Sequence, residues 1–337
     1  MKALFIGGTG LISSAVSRLA VDRGIELALL NRGQRGEFFP AGARQILADN
    51  RDPSAVKEAL RGETFDVVAD WIAYTPAQAA QDVELFDGRT GQFIFISSAS
   101  VYQKPPTHYL ITESTPLSNP FWQYSRDKIA CEELFLREYR EKGFAVTIVR
   151  PSLTYGLTQI PAAVGSWLHP WTIIDRMRRG RPIIVPGDGT SLWTMTHNSD
   201  LAKGFVGLMG NVHAIGHAFH ITSDEVLTWN QIYSLIGAAA GVQPDLVHVS
   251  SDFISAFDPE LRGTLIGDKS QSGVFDNSKI KAFVPGYVAT VPFSVGVRES
   301  VHWFERHPER CTIDERFNSL CDRIAGAHQG ALALARP

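Results

Sequence analysis

Directly behind the apolar run Ala3-Leu4-Phe5-Ile6 stands Gly7-Gly8-Thr9-Gly10, and behind that a helix-like stretch from about Leu11 to Arg23. No other feature of the chain limits its fold as strongly. Gly7 permits a tight turn and Gly10 a close approach of backbone to a phosphate. The following helix offers free N–H groups and the positive end of its dipole to an anion. Ser13 occupies the place of the usual third glycine, whose role is close packing of helix on strand. The segment reads as the strand, turn and helix of a dinucleotide-binding unit, with Gly7, Thr9, Gly10, Leu11 and Ile12 around the pyrophosphate.

The alternation continues. Glu26 to Leu30, Val67-Val68-Ala69, Phe93 to Ile96 and Val146 to Val149 are short apolar runs separated by helix-like stretches. Such runs, apolar on both faces, imply a parallel sheet covered by helices on both sides. The expected fold is α/β: a Rossmann-type doubly wound parallel sheet with a smaller C-terminal α/β substrate lobe. The expected limits are 1–155 for the dinucleotide-binding part, with about 190–212 returning to it, 156–325 for the substrate lobe and 326–337 for a tail. Further helices are expected at Trp229–Ala240 and Ser294–Glu305.

The end of the second strand chooses the cofactor. An NAD site commonly places Asp or Glu there, to bond the ribose 2′-hydroxyl. This chain has Asn31-Arg32-Gly33 with Arg35 nearby, so no carboxylate opposes a 2′-phosphate and two guanidinium groups are at hand. NADP is the favoured cofactor and NAD the alternative; Arg32 is also open to stacking on adenine or facing solvent. Asp49, with Asn50 beside it, stands near the end of the third strand. It is placed either to meet the adenine amino group or to cap the helix that starts near Pro53.

The strand Phe93–Ile96 runs into Ser97-Ser98-Ala99-Ser100-Val101-Tyr102, and Tyr124-Ser125-Arg126-Asp127-Lys128 opens a later helix. Tyr124 and Lys128 are four apart and share a helical face. A lysine ammonium favours the phenolate of a neighbouring tyrosine and can hold nicotinamide ribose hydroxyls. The tyrosine can then exchange a proton with a substrate alcohol or ketone, while a serine hydroxyl steadies the developing charge.

In these residues the chain resembles the extended short-chain dehydrogenase/reductase family, the NAD-dependent epimerases and dehydratases, over about residues 2–305. The likeness rests on Gly7-Gly8-Thr9-Gly10, Asp49, the Ser98 segment, Tyr124 and Lys128. It also rests on Arg150-Pro151-Ser152-Leu153-Thr154-Tyr155-Gly156, Pro186-Gly187-Asp188-Gly189 and His197-Asn198-Ser199-Asp200. It implies a catalytic triad of Ser98, Tyr124 and Lys128, with Ser97 as the other serine candidate. It also implies a seven-stranded sheet and a homodimer through the helix carrying Tyr124.

Two departures from that pattern bear on the reaction. The dehydratases carry an Asp-Glu pair where this chain has Ala99-Ser100, so water elimination lacks its acid and base. The arginines that hold a sugar nucleotide's pyrophosphate match Trp193 and Leu265, with Arg262 as a possible substitute. The expected function is therefore an NAD(P)-dependent oxidoreductase or epimerase acting on a secondary alcohol or ketone of a sugar or polyol without a nucleotide. Trp122 and Trp193, with Ser98, are the expected substrate contacts; Trp71 is a further tryptophan near the cleft. A nucleotide-sugar 4-epimerase is one alternative. Some relatives with an Asn-Arg-Gly segment are linked to RNA binding in plastids, so a non-catalytic NADP- or RNA-binding protein is another.

The net charge of −3 and the lack of a basic stripe argue against a nucleic-acid partner. No apolar run approaches the roughly 20 residues of a membrane span. No signal peptide is read, and Cys131, Cys311 and Cys321 fit free thiols, so a cytoplasmic protein is expected. His213, His217 and His220 give no metal-ligand geometry, and no metal is expected. Arg176, Arg178, Arg179 and Arg181 read as charges favoured at a helix C-terminus, or as a phosphate contact.

Overall fold

A computed structural model describes residues 1–335. Seven strands form one parallel sheet: β1 (Lys2–Ile6), β2 (Glu26–Asn31), β3 (Arg44–Leu47), β4 (Phe65–Asp70), β5 (Thr90–Ile96), β6 (Val146–Arg150) and β7 (Ala218–His220). Their spatial order is β7-β6-β5-β4-β1-β2-β3. The helices that position the site are α1 (Ser13–Asp22), α2 (Pro53–Ala59), α3 (Pro76–Phe86) and α4 (Gln123–Lys142). They are followed by α5 (Thr172–Arg178), α6 (Asn198–Leu208) and α7 (Trp229–Ala240).

Side-chain alternation builds the two faces. Ala3 and Phe5 point to one side and join Val16 of α1 and Phe205 of α6. Leu4 and Ile6 point to the other and join Ala79 of α3 and Phe135 of α4. The helix ends follow from local sequence. Thr75 and Gln78 form a capping box at α3, with Pro76 at its first position. Gly143 ends α4 at φ 79°, a left-handed conformation open to glycine.

The C-terminal lobe has its own core, in which Trp229, Tyr233 and Ile236 of α7 pack on Phe293, Val297 and Val301 of the helix Phe293–Arg306. Two boundaries differ from the sequence expectation. The sheet draws on the chain as late as β7, beyond the segment 190–212, because Phe219 and Ile221 complete the apolar face under α6. Residues 326–335 are not a separate tail: they continue the helix Glu315–Ala335, whose Phe317, Leu320 and Ile324 pack on Ile184 and Ile254. Residues 336–337 of the expected tail lie outside the described residues.

Two arginines of the cluster anchor that helix, while Arg178 pairs with Glu305 and Arg179 with Asp175. Arg176 is buried and donates to Asn318 and to Asp322 at 3.0 Å, and Arg181 also pairs with Asp322. Local protein partners, rather than a ligand phosphate or the helix dipole alone, account for these charges.

Candidate active site

A cleft of about 790 Å³ opens at the carboxyl ends of β1, β2, β4, β5 and β6, where parallel sheets of this kind bind ligands. Backbone hydrogen bonds carry the strand order into its walls. Gly7 N–H donates to Leu30 at 2.9 Å, Trp71 N–H to Ile6 at 3.0 Å and Ser97 N–H to Val149 at 2.7 Å. Gly7 and Gly8 have φ of 99° and 86°. A Cβ on Gly8 would stand 2.6 Å from Leu29 Cδ2 and one on Gly7 3.3 Å from Ile72 Cγ2, so the turn is shaped for glycine twice over. The N-terminus of α1 carries no side-chain cap, which leaves its N–H groups for an anion. Asn198 donates to the Leu11 carbonyl at 2.8 Å and ties α6 to this turn.

The cleft fits a dinucleotide by a second observation. Asn31 Nδ2, Asn50 Oδ1, Trp71 Nε1, Ser97 Oγ and Ser152 Oγ are buried polar atoms without a hydrogen-bond partner, and all five residues line this cleft. Buried polar groups are rarely left unpaired. A ligand rich in hydroxyl and phosphate oxygens would satisfy them.

Gly7, Thr9, Gly10, Leu11, Ile12, Asn31, Arg32, Arg35, Asp49, Asn50, Ser98, Tyr124 and Lys128 all line the cleft. Asn31 Oδ1 accepts from Gly33 N–H at 2.8 Å and from Gln45 at 3.1 Å, which leaves its amide donor Nδ2 without a partner. Asp49 is not the cap of α2: Asp52 is, accepting from Ser54 and Ala55 N–H groups. Asp49 instead holds Arg51 at 2.6 Å, and the hydrogen bonds from Arg51 keep its carboxyl far below the usual carboxylate range.

Tyr124 and Lys128 lie one turn apart on α4. Lys128 is 2% exposed and donates to the carbonyls of Ala73 at 2.6 Å and Ile96 at 2.7 Å. An ammonium has three donors, so one N–H remains for the cleft. Burial pushes Lys128 down to about 8, with Cys131, Asp70, Glu132 and Asp82 pulling it back up. Burial pushes the Tyr124 phenol up to about 12, opposed by a hydrogen bond from Ser98 and reinforced by Tyr74 and Asp268. The Ser98 hydroxyl is held 2.9 Å from Ser100 Oγ, which Ser125 meets in turn at 2.8 Å.

Neither of the two tryptophans expected to touch substrate is among the residues lining the cleft. Trp122 packs its ring on Tyr124, centroids 4.8 Å apart. Trp193 does not face the cleft: it is 2% exposed and stacks on Trp229 at 5.5 Å in the core of the C-terminal lobe. Strand alternation explains this, since Leu192 takes the outward position and Trp193 the inward one. Leu265 is fully buried, and Arg262 is exposed and paired with Asp252. His220 bridges Tyr102 and the Asp276 carbonyl. Among the described residues no three His, Cys, Asp or Glu side chains are grouped to hold a metal.

Sequence reasoning did not single out Arg51, Tyr74, Gln78 or Trp167, which also line the cleft. Tyr74 and Gln78 could have been found from position, since they closely follow a parallel strand's carboxyl end. Trp167 arrives on a long loop that carries no local signal.

Residues 3–222 match the model of the NAD dependent epimerase/dehydratase family. The chain belongs to this family. Its members are NAD-dependent epimerases, dehydratases and reductases of the short-chain dehydrogenase/reductase type. The family member is 30% identical over 264 residues to the chloroplast stem-loop binding protein of 41 kDa b of Arabidopsis thaliana, a match spanning 73% of this chain and 65% of that one. Its match therefore covers less than two thirds of that relative. It is 25% identical over 292 residues to 2′-dehydrokanamycin reductase of Streptomyces kanamyceticus, covering 85% and 80% of the two chains. Its fold superposes on a UDP-glucose 4-epimerase of Thermotoga maritima with a TM-score of 0.74, at 19% identity, covering 91% of this chain and 100% of the other.

Proposed function

We propose that the protein is an NADP(H)-dependent reductase of a ketone, in reverse an oxidant of the corresponding secondary alcohol, on a sugar-like polyol that carries no nucleotide. The observation that carries this reading is Tyr124, set between the Ser98 hydroxyl and Lys128 at one end of a cleft whose other end is the glycine turn.

A bound nicotinamide supplies or accepts the hydride. Gly7–Ile12 would hold its pyrophosphate, Asn31, Arg32 and Arg35 its adenosine 2′-phosphate, and the free N–H of Lys128 its ribose. Ser98 donates a hydrogen bond to the reacting oxygen. Tyr124, a phenol at neutral pH, donates the proton that an alkoxide needs, which suits ketone reduction. Ala99 and Ser100 offer no carboxylate for dehydration. Trp193 and Leu265, buried in apolar packing, offer no guanidinium to a sugar nucleotide. The similarity to 2′-dehydrokanamycin reductase supports the same reading.

The plastid relative favours a second reading, RNA binding without turnover. One comparison separates the readings. NADPH oxidation is followed with nucleotide-free keto-sugars, UDP-glucose binding by calorimetry, and stem-loop RNA binding by gel shift. Turnover with a keto-sugar and no micromolar UDP-glucose binding supports the proposal. Tight UDP-glucose binding supports an epimerase, and RNA binding without turnover supports the second reading.

A further inference from the structure

Beneath Lys128 lie two carboxyl groups that the proposed reaction does not use. Asp70 ends β4 and is fully buried; Asp82 sits on α3 and is 1% exposed. Asp70 Oδ1 accepts from the N–H groups of Ile72 at 2.6 Å and Ala73 at 3.0 Å. Its Oδ2 has no partner outside the pair, and neither has Asp82 Oδ2. The two carboxyls are within hydrogen-bond reach of one another.

Two buried carboxylates in contact cannot both be ionised without a large penalty. A proton between them satisfies both orphaned oxygens and leaves one negative charge. We propose that Asp70 and Asp82 share a single proton, and that the resulting monoanion is the positioning group that keeps the Lys128 ammonium charged beside Tyr124. The pair reaches Lys128 through packing and backbone. The Ala73 residue whose N–H caps Asp70 also offers the carbonyl that Lys128 grips.

Cys131 and Glu132 also favour the Lys128 charge, but each is held back by its own surroundings. On α4, Glu132 is committed to Arg150 at 2.5 Å and burial pushes the Cys131 thiol up to about 12. From the segment after β4, Tyr74 presents a neutral ring, its centre 4.6 Å from Lys128 Nζ, and β5 presents the ring of Phe95 at 4.9 Å. Burial, with Lys128 opposing it, raises both aspartates, Asp82 the more strongly.

The inference rests on the Tyr124/Lys128 reading only for its consequence; the shared proton is tested apart from it. Infrared difference spectra at neutral pH, wild type minus Asp82→Asn and wild type minus Asp70→Asn, should each show the carbonyl stretch of one protonated carboxyl, shifting in D2O. In each single variant an amide replaces the carboxyl donor and the remaining aspartate keeps the charge. The Lys128 titration, read from the 15N shift of its side-chain amine against a Lys128→Met background, should therefore stay in place. Asp70→Asn/Asp82→Asn removes the charge with the shape retained. The pH at which Lys128 loses its proton should then fall by about one unit or more. Absence of the carboxyl band in wild type overturns the shared proton. An unmoved Lys128 titration in the double variant overturns the positioning role, whether or not Tyr124 turns over a substrate.

Discussion

Lys128 Nζ lies 4.6 Å from the centre of the Tyr74 ring, on the side of the cleft where Tyr74 also approaches Tyr124 at 6.4 Å between centroids. The ring face attracts the ammonium and covers it from solvent. A contact of this kind is worth about 0.5–2 kcal/mol. Tyr74→Ala should lower kcat by roughly 2- to 30-fold, while Tyr74→Phe should leave it close to wild type. Steady-state kinetics on the two variants check this; equal losses in both would point to the hydroxyl instead.

The pH dependence has a defined sign. Lys128 titrates at about 8 in the folded protein, below its ordinary value of 10.5. Its ammonium is lost as pH rises through about 8, so reduction should decline on the alkaline side. Between pH 8 and 10.5 the unfolded chain binds the extra proton, so this group makes the fold more stable as pH rises across that window. Lys128→Met should abolish the alkaline fall together with most activity. It should also raise stability at pH 7 by about 1–3 kcal/mol, offset in part by the lost hydrogen bonds to Ala73 and Ile96. Denaturant unfolding at pH 7 and 9.5 gives both numbers.

Much of the lining of the cleft was legible from sequence. Gly7 to Gly10 act through backbone geometry, which local sequence dictates, and Asn31-Arg32 follow from the position of a strand end. Tyr124 and Lys128 were legible because four residues on a helix fix their relation. Trp193 was misread because its side depends on pairing with Leu227, a residue distant in sequence. Asp70 and Asp82 come from different elements, and only the packed fold brings their carboxyls together. The helical end at 326–335 was missed for a similar reason: its small residues look like a tail until the helix from Glu315, held by Phe317, Asn318 and Ile324 against Ile184 and Arg176, is there to carry them on.

Cofactor choice should turn on Asn31 and its neighbours. Asn31→Asp removes the free amide donor and adds a carboxylate opposed to the 2′-phosphate; Arg32→Ala removes a cationic partner. A charge-assisted hydrogen bond contributes about 1.5–3 kcal/mol, so Arg32→Ala should weaken NADPH binding by roughly 10- to 100-fold. Asn31→Asp should move preference toward NADH. Fluorescence titration with both cofactors at one fixed ionic strength reads the ratio, and tighter NADH binding by the wild type would remove the basis of the prediction.

Glu132 and Arg150 form a buried pair, with Arg150 Nε also 3.0 Å from Glu132 Oε1, and both side chains are almost wholly enclosed. Removing one partner strands the other charge. Glu132→Gln should destabilise the protein by about 3–5 kcal/mol, whereas Glu132→Gln with Arg150→Met should recover part of that loss. Thermal and denaturant unfolding of the single and double variants test it through the sign of the coupling.

The most direct test of the central claim is the rate of NADPH oxidation with a nucleotide-free keto-sugar turned over by the wild type, compared with Tyr124→Phe. The account predicts a loss of about 10²- to 10⁴-fold in kcat with NADPH affinity unchanged, because Tyr124 donates the proton and the glycine turn holds the cofactor. A Tyr124→Phe protein that reduces the keto-sugar at the wild-type rate would contradict it.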